Sequence, residues 1–184
     1  MLRILLDYFE LSRSKHLFLD FCISLILGLA TVGLLFYLNA TTYFIINAIN
    51  STVGVAITAF SILAGFNATS LSIFATSNSP VAKKLKNELI KNTNRAKMEQ
   101  ILSYFSWSVV VQLVLLLLSV IASFLFANDS PFKKFVLTHV YGDTAIWIIL
   151  LFGMTGVFYS VNLTIRNISL LYYFLVADSR ELDQ

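Results

Sequence analysis

The chain has 184 residues, 58% of them hydrophobic and only 12% charged, with a formal net charge of +3. Soluble domains carry about 25% charged residues, so these values exclude an ordinary soluble globular domain and point to a polytopic membrane protein. A single cysteine, Cys22, allows neither an intrachain disulfide nor a thiolate metal site.

Residues 1–16 read as an interfacial amphipathic helix. Leu2, Leu5, Leu6 and Phe9 recur at helical spacing, with Arg3, Asp7 and Glu10 on the other side. These charges do not suit a cleavable apolar leader, so residues 17–38 are expected to be a retained first span. Asp20 lies in its first turn, with Gly28 and Gly33 further along. The connection over residues 39–50 carries no formal charge, and Tyr43 and Phe44 suit a membrane interface.

The second span covers residues 51–76 and is the most polar of four. Gly54, Thr58, Ser61, Gly65, Thr69, Ser72 and Thr76 step by three or four, which places all seven on one helical face. Such a face suits close helix packing, within the bundle or between subunits, or the lining of a pore. Residues 77–103 form the one sizeable polar segment, with Lys83, Lys84, Lys86, Lys91, Arg95 and Lys97 against Glu88 and Glu99. Ser79-Pro80 is a helix start and Asn92-Thr93-Asn94 a turn, so a helical hairpin is expected. Its cations serve orientation and anionic-lipid contact, or docking of a protein partner. Direct nucleic-acid binding ranks last, because no aromatics interleave with the cations.

The third span covers residues 104–127. The fourth covers 144–166, and its apolar character persists beyond Arg166 into the tail, 167–184. Counted over the five polar pieces, Lys and Arg number 3, 0, 6, 2 and 2, so 11 of 13 fall on one side. Positive charge is retained in the cytoplasm, which predicts four crossings of an inner membrane with both termini inside. Asn67, Gln112 and Asn162 are amides expected within the bilayer, where each needs a partner, either as a bond between helices or as a substrate or ion site. Asp20 and Arg166 fall at one depth, either as an ion pair or as two side chains reaching separately to water. Gly153 and Gly156 mark a packing patch. No HExxH, GxSxG or phosphate-binding glycine loop is present, and His16 and His139 fall on opposite sides. No enzymatic activity and no cofactor are expected.

The expected fold is all-α: four spans with a cytoplasmic helical hairpin between the second and third. The segment SILAGFNATSLSIFATSNSPVAKKLKNELI, residues 61–90, joins a small-residue span to a Ser/Asn break, Pro80 and a Lys-rich helix. It resembles the KwaA-type membrane subunits of the Kiwa anti-phage defence system. The resemblance implies a non-enzymatic membrane sensor that assembles as a homo-oligomer, a tetramer. It also implies a KwaB-like cytoplasmic partner that carries the DNA-directed effector role. The surfaces such a partner could reach are residues 83–97 and the tail after Arg166. A second reading from another class is a pore-forming effector that depolarises the membrane. A third is a lipid-binding structural protein.

Overall fold

The computed structural model describes residue 8 and residues 14–90, 94–127, 130–138 and 141–182. Among the described residues six helices are delimited, in order: α1 Ser14–Tyr37, α2 Thr42–Thr76, α3 Pro80–Asn87, α4 Lys97–Leu125, α5 Pro131–Thr138 and α6 Gly142–Leu182. The fold is all-α, and α1, α2, α4 and α6 are long and apolar enough to cross a membrane. The expected interfacial helix lies outside the described residues, apart from Tyr8 and the first turn of α1.

Local chemistry sets the breaks. α1 stops where Asn39 adopts φ 55°, a left-handed conformation that Asn tolerates better than most residues. Thr41 then caps α2, its side chain accepting from the Phe44 backbone N–H at 3.3 Å. α2 therefore begins nine residues before the expected Ser51. The uncharged run after Asn39 is apolar enough to continue the helix, and Ile45 and Ile46 are buried. Ser79 caps α3, accepting from Ala82 N–H at 3.2 Å, with Pro80 in the first turn.

The hairpin forms as expected: α3 is its first arm, and the start of α4, which runs straight into the third span, is its second. An antiparallel bridge pairs Leu89 with Ala96. Ile90 N–H donates to Arg95 carbonyl at 2.9 Å, and Lys97 N–H to Glu88 carbonyl at 2.9 Å. These bonds pair residues 88–90 with residues 95–97 between the two helical arms. α3 has only 8 residues, too short to offer a long packing face.

α6 runs unbroken for 41 residues, about 62 Å at ~1.5 Å per residue. The hydrocarbon core is about 30 Å thick, so the fourth span and the tail form one rod that extends past it. The helices pack as two pairs, α2 on α4 and α1 on α6, joined by contacts of α6 with α2 and α4. One apolar cluster, with Phe74, Val81, Met98, Phe105 and Phe174, fills the end that carries the Lys-rich segment. A second, with Ile45, Ile46, Phe126, Val136 and Ile146, fills the opposite end.

Gly142 lets α6 start against the Val136 carbonyl of α5, and two further glycines permit close approaches between the spans. A Cβ on Gly28 would lie 2.5 Å from Thr155 Oγ1, and one on Gly156 would lie 2.7 Å from a Leu115 methyl. Gly33 and Gly153 have open space around them. We expect Gly28→Val to separate α1 from α6 and to destabilise the protein by about 1–3 kcal/mol, in the range of overpacked sites. Gly33→Val should be nearly neutral. Denaturant titration in micelles checks the pair.

Candidate functional site

Three amides and two hydroxyls meet between the two apolar clusters. Asn67 of α2, Ser108 and Gln112 of α4, and Thr164 and Asn167 of α6 are all buried. Asn67 Nδ2 donates to Gln112 Oε1 at 3.0 Å and to its own Leu63 carbonyl at 3.1 Å. Gln112 Nε2 donates to Thr164 Oγ1 at 2.8 Å, and that hydroxyl donates to the Ser160 carbonyl at 2.9 Å. Asn167 Nδ2 donates to Asn67 Oδ1 at 2.9 Å and Ser108 Oγ at 2.8 Å. An amide in an apolar medium must find partners, and here each completes another helix's requirement. The network ties α2, α4 and α6 at one level. Among the described residues Asn167 Oδ1 and Ser160 Oγ have no hydrogen-bond partner.

Asn162, the third expected amide, serves a different contact. Its Nδ2 donates to Ser24 Oγ at 2.9 Å and joins α6 to α1. One turn further along α6, Arg166 Nη1 meets Asp20 Oδ2 at 2.5 Å, with each side chain about one-fifth exposed (21% and 20%). The two residues pair rather than reach separately to water. The guanidinium also lies over the Tyr104 ring, 4.5 Å from its centroid. A guanidinium suits this site because it donates in its plane and stacks on its face.

The small-residue stripe does not pack within the bundle. Gly54, Thr58, Ser61, Gly65, Thr69, Ser72 and Thr76 are all exposed on the outer side of α2. The buried side carries Phe60, Ala64, Asn67, Ser70 and Phe74 at the same helical spacing. Each stripe hydroxyl bonds back to a carbonyl four residues earlier, from Thr58 to Gly54 at 3.1 Å through to Thr76 to Ser72 at 2.7 Å. The face needs no further hydrogen-bond acceptor. Gly54, Val55, Thr58, Ala59 and Ile62 line an open apolar depression on it.

Ion pairing thins the basic segment. Lys97 Nζ meets Glu88 Oε1 at 2.5 Å, and Arg95 Nη1 meets Glu99 Oε2 at 2.9 Å. Lys86 Nζ donates to the Ser77 carbonyl at 3.1 Å. Lys83 and Lys84 are exposed and form no ion pair among the described residues. Lys91 lies outside the described residues. The free positive charge of the segment therefore concentrates on α3, whose other face buries Val81 and Ala82.

Among the described residues no cluster of three His, Cys, Asp or Glu side chains could hold a metal ion. Comparison with family models, curated proteins and solved structures returned no match.

Proposed function

We propose that this chain is a sensor or scaffold of a bacterial inner membrane in anti-phage defence, relaying perturbation of the envelope to a cytoplasmic effector partner. The 11 of 13 cations on one side support a cytoplasmic position for both termini and the Lys-rich segment. The defence assignment rests on the resemblance over residues 61–90. The homo-oligomer, a tetramer by that resemblance, uses the outward face of α2, from Gly54 to Thr76. Lys83, Lys84 and Lys86 form the surface for membrane lipid and an acidic partner of KwaB-like role. The chain itself does not bind nucleic acid or catalyse a reaction.

The observation that carries the relay is a mechanical one. Gln112 of the amide network and Lys97 of the basic segment lie on the same unbroken helix, α4. They are fifteen residues apart, about 22 Å at ~1.5 Å per residue. A packed helix transmits a shift as a rod, because interiors are close-packed and resist deformation. A change in span packing at the network therefore moves α3 and its cations. The pore-forming alternative draws on the same α2 face. It is weakened by hydroxyls that already donate to their own helix.

Lys83→Glu with Lys84→Glu is the test. We expect wild-type chain purified in mild detergent to bring down a soluble protein encoded beside it, and the double variant to lose it. Overexpression of the chain alone should leave a voltage-reporting dye unchanged. Depolarisation with no recovered partner would establish the pore instead.

A further inference from the structure

The end of the bundle opposite the Lys-rich segment buries a cation that no acid meets. Lys133 of α5 is only 8% exposed. Its Nζ donates to Asn47 Oδ1 of α2 at 3.2 Å and lies 5.9 Å from the centroid of the Tyr43 ring. Among the described residues it forms no ion pair. Asp143, in the first turn of α6, accepts instead from Thr42 at 2.6 Å. An ammonium taken out of water is costly to hold unless an anion meets it. One neutral amide oxygen offsets little of that cost.

The groups beside Lys133 are unused donors. Asn47 gives its oxygen to Lys133, and its Nδ2 has no acceptor among the described residues. The Tyr43 hydroxyl has no hydrogen-bond partner among them either. Tyr43 and Asn47 lie four apart on α2 and share a face. Tyr43 is exposed and Asn47 half-buried, so the group opens to the surface while Lys133 is enclosed. An uncompensated ammonium beside an amide N–H and a phenol is the donor set that an oxyanion requires.

Depth decides which oxyanion. Asn67 bonds to Asn167, the chain neighbour of Arg166. Asn47 lies twenty residues before Asn67 on the same helix, about 30 Å at ~1.5 Å per residue. The hydrocarbon core is about as thick. With the Asp20–Arg166 pair at one interface, Lys133 stands at the other, where lipid headgroups lie. We propose that Lys133, Asn47 and Tyr43 bind the phosphate of a phospholipid in the leaflet opposite the Lys-rich segment. The headgroup supplies the anion that Lys133 lacks and joins α5 to α2. The site rests on the long helices crossing a membrane, not on the relay reading or on any partner protein.

The test uses the full chain in a non-ionic detergent. Lys83→Gln with Lys84→Gln and Lys86→Gln removes the other basic surface and serves as the background. Phosphatidylglycerol is titrated in, and native mass spectrometry counts the lipids bound. We expect one tightly held lipid, bound about tenfold more weakly after Lys133→Gln. Lys134→Gln, at the exposed neighbouring position, should change nothing. Asn47→Asp gives Lys133 an internal carboxylate, so it should keep the fold and weaken the lipid about tenfold. Tyr43→Phe, at an exposed position, should weaken it by a smaller factor. Dioleoylglycerol, which has no phosphate, should not bind. Unchanged affinity in Asn47→Asp and Tyr43→Phe overturns the proposal, even if Lys133→Gln fails to fold. Equal binding of dioleoylglycerol overturns it too. Displacement of the lipid by inorganic phosphate at equal concentration would assign the site to a free anion and overturn the lipid.

Discussion

Asn67→Ala should cost about 2 kcal/mol of stability, several times the effect of Thr69→Ala on the outward face of the same helix. The reasoning starts from the weakness of single bonds. Interhelical hydrogen bonds in membranes average about 0.6 kcal/mol and reach ~1.7. Asn67 makes two short ones, to Gln112 and from Asn167. Its loss also leaves Gln112 Oε1 without that donor in a buried position, and an orphaned buried group adds its own desolvation cost. Thr69 bonds only to its own helix at 2.8 Å, so its removal should stay within about 0.5 kcal/mol. Asn167→Leu should cost less than Asn67→Leu, because Asn167 already carries an unpartnered carbonyl oxygen. Unfolding in mixed micelles, read by circular dichroism, gives all four values. A double-mutant cycle on Asn67 and Gln112 isolates their coupling. Additive effects would show that the amides act separately and that α2 and α4 are joined by apolar packing alone.

The four long helices were legible in the sequence because length and apolarity alone mark them, and the structure adds only caps and continuations. Asp20 and Arg166 were legible as a pair because charges at the ends of apolar runs are few. The amide network was legible only in part. Asn67 and Gln112 are conspicuous in their spans, whereas Ser108, Thr164 and Asn167 resemble the hydroxyl and interface residues scattered elsewhere. Their signal is spacing: Ser108 and Gln112 lie four apart on α4, Thr164 and Asn167 three apart on α6, and both pairs share a face with their neighbours. The stripe on α2 was legible as a face but not in its direction. Periodicity shows that seven small residues share a face, but not which way it points. In a soluble helix, polarity would mark the outer side. In lipid both sides are apolar, and that cue vanishes. Gly28 and Gly33 look alike for the same reason, although only the first meets a neighbour. Tyr8 had no signal at all, since its partners Tyr104, Trp107 and Arg166 come from helices far downstream.

Arg166→Ala should destabilise the protein by about 2–3 kcal/mol and loosen α1 from α6. Removing one partner of a fully buried pair costs about 3–5 kcal/mol, and an exposed pair contributes about 0–1 kcal/mol. The Asp20–Arg166 pair, one-fifth exposed on each side, falls between the two. Asp20→Ala should cost slightly less, because Arg166 retains its place over Tyr104 and its bond to Tyr8. Exchange of the two residues, Asp20→Arg with Arg166→Asp, discriminates between charge pairing and guanidinium geometry. It restores opposite charges across the α1–α6 contact. It cannot restore a guanidinium over the Tyr104 ring, because the cation now projects from α1 and a carboxylate faces the aromatic wall. We therefore expect the exchanged protein to regain part of the loss seen in Arg166→Asp alone and to stay below the parent. Arg166→Lys separates the contributions further: the charge stays, while the planar fork that reaches Asp20 and Tyr8 together is gone. If the exchange recovers nothing, ion pairing contributes little to the α1–α6 contact. The association then rests on Gly28 against Thr155 and on Asn162 with Ser24.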